Sequence, residues 1–400
     1  MTTARNLARS LFDEGVAAAD PAGAVARHLH DVDPPALIVA VGKAALKMAE
    51  AALARFPQTP CLVVTNYENA KPLAGATVMA AGHPVPDEAG ADAGRAVLGA
   101  VGQVKGPVLA LISGGGSALL PAPAGRITLA DKAALNGLLL GCGLDITQMN
   151  LIRQQVSLIK GGGLVRAATP QAITALILSD VVGDDLSTIA SGPTARPLGT
   201  ASQARAIMLD AGIWDNAPAS VRDYLEADRA ELPEVAPARN VLVGSNGQSV
   251  AAMAAQAGEA QFLPRPVEGD VHAAAREICD AAGLGITLWG GETTVQLRGT
   301  GRGGRNQELA LLIAIEAAQR GWKQWTCLQG GTDGRDGPTD AAGGLVDDGT
   351  LARVAAAGGD LDALLANNDS YQALNLAGDL LMTDATGTNV ADLGIMIRED

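Results

Sequence analysis

Short apolar runs bounded by glycine or polar turns recur along the whole chain. They read "LIVAV" (37–41), "CLVVT" (61–65), "PVLALIS" (107–113), "AITALILS" (172–179), "NVLVG" (240–244), "GITLWG" (285–290) and "WTCLQG" (325–330). Each has the length of a strand, and uniform apolarity predicts cover on both faces, as in parallel sheets with crossover helices. The first run passes through Gly42 into "KAALKMAEAALARF", a stretch of good helix formers, which makes one strand–turn–helix unit. Repetition of that unit predicts an α/β fold with two domains, each a mostly parallel sheet with flanking helices. The segment "EADRAELPEVAPARN" (226–240) is rich in Ala, Glu and Pro and has no periodicity, so the predicted domains are 1–235 and 236–400.

Most of these runs end in a polar or glycine-rich loop, and in open α/β sheets ligands bind beyond the carboxyl ends of the strands. Lys43 stands where a strand meets a helix start, a place that favours anions, although a solvated surface lysine would look the same. In "SGGGSA", the side-chain-free backbone of Gly114, Gly115 and Gly116 can turn its N–H groups toward phosphate oxygens, with Ser113 and Ser117 adding hydroxyls; a plain tight turn is the alternative. "SDVVGDD" offers Asp180 as a carboxylate leaving a strand, with Asp184 and Asp185 behind it, and Asp185 could equally cap the next segment. "RGTGRGGRNQE" sets Arg302 and Arg305 ahead of a long helical run, where a guanidinium opposes the helix dipole unless an anion is at hand. Asn246 in "GSNGQS", Glu292 in "GGETT" and Asn306 beside Arg305 complete this set of strand-end polar residues.

The loop "GGTDGRDGPTDAAGG" (330–344) comes after the last of these runs. Its acids, Asp333, Asp336 and Asp340, are three and four apart, which excludes a calcium loop with ligands at alternate positions. Asp333, the first acid beyond the strand, is the best placed to reach Mg²⁺ or a nucleotide. Asp336 is a further binding candidate, or with Asp340 shapes the turn.

Composition narrows the chemistry. The formal net charge of −14 and the lack of a basic face argue against nucleic acid, and no apolar run approaches the roughly 20 residues that span a bilayer. The four cysteines form no CxxC pair, so zinc and disulfides are not indicated and a reducing cytoplasm fits. His83 lies in a Pro-rich turn and His28, His30 and His272 in apparent helices, without metal-ligand spacing, so structural roles are expected. A dinucleotide fold would show GxGxxG after an early strand; here that turn reads "VGKAAL", and "GTGRGG" (299–304) comes after the polar stretch "TTVQLR". No GxSxG elbow and no serine with a plausible histidine base is present. Cations, glycine turns and carboxylates without a protein nucleophile suit phosphoryl transfer, which depends on positioning and charge.

The motifs "VGKAALKM", "GHPVPDE", "LISGGGSALLPAP", "SDVVGDDLSTIASGPT", "GGETTVQLRGTGRGGRNQELAL", "GTDGRDGPTDAAGG" and "TGTNVADL" occur in an order that resembles the glycerate 2-kinase family, from about Lys43 to Leu393. The resemblance implies a Rossmann-like N-terminal domain, a C-terminal MOFRL domain and an active site in the cleft between them. It further implies transfer of the ATP γ-phosphoryl group to the 2-hydroxyl of D-glycerate with Mg²⁺, in a cytoplasmic protein that could be a homodimer. Lys43 and Arg305 would be the catalytic cations, Asp180 and Asp333 the metal candidates. Ser113, Gly114, Gly115, Gly116, Ser117, Asn246, Glu292, Asn306 and Asp336 would be the nucleotide- or substrate-binding candidates. Similar chains are also labelled hydroxypyruvate reductase, which the missing dinucleotide fingerprint opposes; a non-catalytic nucleotide or sugar-acid sensor is the other alternative. Departures from the family pattern are Gln154 and Gln155 in place of a Lys–His pair, Ala195 after "SGPT", and Asp384 and Ala385 before "TGTNV".

Overall fold

The computed structural model describes residues 3–227 and 237–399, and contacts divide the chain into two compact units. The first comprises Pro21–Ser179 and Asp184–Val243; the second comprises Met1–Asp20, Asp180–Gly183 and Gly244–Asp400. The division is therefore not a single cut at 235/236, and most of the expected linker, residues 228–236, lies outside the described residues.

In the first unit, β1 (Leu37–Val41), β2 (Cys61–Asn66), β3 (Ala76–Ala81), β4 (Val108–Ile112), β5 (Ile173–Leu178) and β6 (Arg239–Gly244) form one sheet in the order β3-β2-β1-β4-β5-β6. The pairs β1–β2, β2–β3, β1–β4 and β4–β5 are parallel. All five residues of β1 and of β4 are buried, as their unbroken apolar sequences require. The strand order is that of the doubly wound nucleotide-binding folds, and it reverses direction between β1 and β4. A second apolar cluster, which includes Leu135, Leu139, Ile152, Met208 and Val221, joins the helices Leu129–Gly141, Ile146–Gln155, Ala201–Asp210 and Ala219–Glu226 beside the sheet.

The second unit departs from expectation. Its strands are β7 (Gln261–Phe262), β8 (Val267–Asp270), β9 (Gly285–Thr294), β10 (Trp325–Gly331), β11 (Ala341–Asp347), β12 (Leu380–Met382) and β13 (Asp392–Arg398), in the order β12-β11-β10-β13-β9-β7 with β8 also on β9. Only β7 and β8 run parallel to β9; the pairs β10–β11, β10–β13, β11–β12 and β13–β9 are antiparallel. This sheet is mixed rather than mostly parallel. Apolar runs report burial on both faces, and that burial is met here without parallel order. Trp325 and Cys327 of β10 pack with the helices Val271–Ala281 and Arg305–Gln319 on one face. Leu328 of β10 and Leu393, Ile395 and Ile397 of β13 face the other way, onto Leu11 and Phe12 of the N-terminal helix Ala4–Ala18 and Met253 of the helix Asn246–Ala257.

Candidate active site

In the first unit the predicted residues gather where the strand order reverses. Gly42 comes directly after β1 with φ +122°, and a Cβ there would lie 2.1 Å from Ser113 Oγ and 2.4 Å from the Ser113 carbonyl oxygen, so only glycine fits. The buried Ser113 hydroxyl accepts the Ala44 N–H at 3.1 Å, and the Lys43 N–H donates to the Gly114 carbonyl at 2.9 Å. Ser113 thus clamps the loops after β1 and β4 together. Gly115 is left-handed (φ +83°); a Cβ on it would meet His83 Cδ2 at 3.1 Å and Lys43 Cγ at 3.2 Å. The Lys43 stem therefore runs over the glycine turn with His83 beside it, and burial together with the Lys43 charge lowers the His83 pKa. Among the described residues, the backbone N–H groups of Gly114, Gly115, Gly116 and Ser117 donate to no main-chain carbonyl.

Ser117 leads to a group that sequence reasoning did not single out. Its hydroxyl hydrogen-bonds the Ser191 hydroxyl, and Lys160 Nζ donates to Ser117 Oγ at 3.1 Å and to Ser191 Oγ at 3.2 Å. Ala190, Ser191 and Gly192 take φ of +50°, +61° and +67°; two non-glycine residues in this region store strain that a functional site can use. Gln154, where the family has part of a Lys–His pair, is buried and braces this turn, donating to the carbonyls of Ser187 (3.2 Å) and Ser191 (3.4 Å) and accepting the Leu198 N–H (2.9 Å). Gln155 donates to the Gly199 carbonyl at 2.7 Å. Asp185 accepts the Ser187 N–H at 2.8 Å and so caps the turn that follows it.

The second unit centres on a residue the sequence reading missed, Asp392. Arg305 grips it twice, Nε to Oδ2 at 2.6 Å and Nη2 to Oδ1 at 2.9 Å, and its Nη1 lies 3.0 Å from Glu292 Oε1. Asn306 Nδ2 donates to Asp392 Oδ1 at 3.0 Å, and Asn246 Nδ2 donates to the Asp392 carbonyl at 2.8 Å. Burial raises the Asp392 pKa, and Arg305 opposes that shift. Gln329 Nε2 donates to the Asn306 side-chain oxygen Oδ1 at 2.7 Å, and Trp289 Nε1 donates to Gln329 Oε1 at 3.0 Å. Asp392 opens β13, whose register places it opposite Gly331 of β10 and Gly291 of β9. The antiparallel strand thus brings an amino-terminal acid to the carboxyl ends of its neighbours.

Asp336 is buried and caps the helix Arg305–Gln319, accepting the N–H groups of Asn306 (3.1 Å) and Gln307 (2.8 Å). Gly304 before that helix has no room for a Cβ, which would sit 2.3 Å from Asp336 Oδ1. Burial, the largest effect, and the nearby Asp392 push Asp336 up to about 7 despite its backbone donors. Asp333, by contrast, is exposed, its Oδ1 accepting the Arg335 N–H at 3.0 Å. Asp340 accepts the Tyr371 hydroxyl at 2.8 Å, and Arg302 stacks on the Tyr371 ring at 4.9 Å, so neither joins the Asp392 group. Asp180 is half-buried at the start of the loop leaving β5. No group of three His, Cys, Asp or Glu among the described residues is arranged to hold a metal. A Mg²⁺ ion bound through phosphates needs only one or two carboxylates, and the exposed Asp333 is suited to that demand.

Residues 7–226 match the family model described as a domain of unknown function (DUF4147), and residues 285–392 match the MOFRL family. A protein of Agrobacterium vitis provisionally named hydroxypyruvate reductase is 40% identical, the match covering 98% of this chain and 94% of that protein. The glycerate 2-kinase of Pyrococcus horikoshii is 35% identical over 98% of this chain and 97% of its own. The crystal structure of a glycerate kinase from Thermotoga maritima superposes with a TM-score of 0.88 at 35% identity, covering 98% of this chain and 99% of that one. No helix among the described residues is long and apolar enough to cross a membrane.

Proposed function

The chain belongs to the glycerate 2-kinase family, and from that premise we propose that it transfers the γ-phosphoryl group of ATP to the 2-hydroxyl of D-glycerate, giving 2-phosphoglycerate and ADP. The observation that carries this is the Lys43 side chain laid over Gly115 at the point where the strand order reverses. The glycine turn offers N–H donors for phosphate oxygens, with Ser117 beside them, and Lys43 adds a full positive charge. Ser113 serves by fixing the turn rather than by touching ligand.

Arg305 would be the second catalytic cation. Its guanidinium is oriented by Asp392 and Glu292, so its direction is set before any ligand arrives, as electrostatic stabilisation of a transferring phosphoryl group demands. Asn246, Asn306 and Asp336 hold that arrangement. Mg²⁺, when bound through Asp333 and Asp180, would neutralise phosphate charge. Free cysteines at all four positions suit a cytoplasmic setting. A coupled assay with D-glycerate, L-glycerate and hydroxypyruvate tests the activity: ADP release that depends on D-glycerate is expected, and NADH oxidation by hydroxypyruvate without ADP release would replace a kinase by a reductase.

A further inference from the structure

Three basic side chains of the first unit approach one another in its interior without an acid among them. Lys132 lies on the helix Leu129–Gly141 at the spacing of the buried Leu135 and Leu139, so it points to the same apolar face. Its stem is partly exposed, but its Nζ is buried and has no hydrogen-bond partner among the described residues. Among the described residues Arg153, on the facing helix Ile146–Gln155, bonds only neutral amides: Nη2 to Asn136 Oδ1 at 2.5 Å and Nη1 to Asn150 Oδ1 at 3.4 Å. Lys160 is 6% exposed, and among the described residues its Nζ reaches only the Ser117 and Ser191 hydroxyls. Two acids nearby in sequence are engaged elsewhere, Asp131 with Thr128 and Ser220, Asp185 with Ser187 and Thr188; a third, Asp184, keeps a buried Oδ1 without a hydrogen-bond partner among the described residues.

Burial is the main cause of the lowered pKa of both lysines; Lys132 falls to about 8, and Lys160 is lowered further by the charges of Lys132 and Arg153. The three groups therefore feel one another. Buried cations of like sign are unfavourable unless they lose protons or share an anion; the unpartnered Lys132 Nζ, together with Lys160 on its two hydroxyls, supplies donors for the second course.

We infer that Lys132, Arg153 and Lys160, with the Ser117 and Ser191 hydroxyls, form a buried oxyanion site that adjoins the glycine turn and takes the carboxylate or phosphoryl group of a small ligand. The site deepens the kinase assignment, which supplies the two candidate sources: the carboxylate of a hydroxy acid, or a phosphate of the nucleotide. Neither Lys132 nor Lys160 was among the residues expected from the sequence. Ser117 is the link, because it belongs both to the turn and to the Lys160 cluster.

The test uses the full-length protein and measures binding rather than turnover. D-glycerate, ADP and inorganic phosphate are titrated separately at matched ionic strength by calorimetry, into the parent, Lys132→Met and Lys132→Arg. At least one of the three should bind the parent and lose about tenfold to a hundredfold in affinity in Lys132→Met, the scale of a lost charged hydrogen bond. Lys132→Arg should recover most of that loss, which a merely structural role would not produce. Loss confined to D-glycerate identifies the carboxylate as occupant, and loss for ADP or phosphate identifies the phosphoryl group. Failure of all three to bind the parent, or unchanged affinities in a folded Lys132→Met protein, would overturn the site. A parent that releases no ADP but shows Lys132-dependent phosphate binding would sink the kinase assignment and leave the site standing.

Discussion

At the scale of the residue, Lys43 and Arg305 carry different burdens. Lys43 has no carboxylate ion-pair partner within 4 Å among the described residues, so its charge is available to a ligand, whereas Arg305 is held by Asp392 and Glu292. Lys43→Ala should therefore leave folding unchanged and lower kcat by about a hundredfold or more, as loss of a preorganised charge at a transition state does. Steady-state kinetics with a circular dichroism check would show it, and near-normal kcat would remove Lys43 from the catalytic role. Asp392→Asn should act on stability as well as rate. It leaves Arg305 half-paired and should cost about 1–3 kcal/mol in denaturant unfolding while also lowering kcat. A strand-end lysine and an arginine at a helix start stood out in the sequence because chemistry and position agree there. Asp392 did not, because it opens its strand rather than closing it; only the antiparallel register of β13 reveals its place. Lys160 was hidden for another reason: a lysine in "IKGG" looks solvated until the fold buries it.

At the scale of the element, two contacts decide whether the loops hold their shape. Gly42→Ala would force a Cβ into Ser113 backbone and side chain at a φ that suits glycine, so it should destabilise by about 2 kcal/mol or more and impair activity, measured by thermal unfolding and turnover together. The helix Arg305–Gln319 begins on the Asp336 carboxyl rather than on a local cap. The folded state raises Asp336 from the ordinary carboxyl value to about 7. The stability from its protonation is therefore fully present below about pH 4 and lost as pH rises to about 7. Asp336→Asn should flatten that part of the stability profile; an unchanged slope would assign it to other groups. The sequence marked the loop 330–344 as functional, yet it could not show that its middle acid is turned inward onto another element while Asp333 stays in solvent. Three acids three and four apart look alike until a neighbouring helix start claims one of them.

At the scale of the whole molecule, the first sheet was legible and the second only in part. In the first, apolar strands separated by helices imply parallel order, and the structure has it. In the second, the same apolar pattern arises from helices on both faces of a mixed sheet. One of those helices, Ala4–Ala18, comes from the far end of the chain, a pairing no local pattern announces. That helix covers Met253, Leu381 and Leu393, so a chain starting after Asp20 should be poorly soluble or substantially destabilised, as expression and thermal unfolding would show. The family assignment rests on ordered motifs that span both units, and so does the proposed reaction. The most direct measurement is phosphorus NMR of the product formed from ATP and D-glycerate by the parent protein, with Lys43→Ala in parallel. The signal of 2-phosphoglycerate is expected from the parent and little or none from the variant. Phosphate on the 3-hydroxyl, or no phosphorylated product at all, would contradict the proposed reaction.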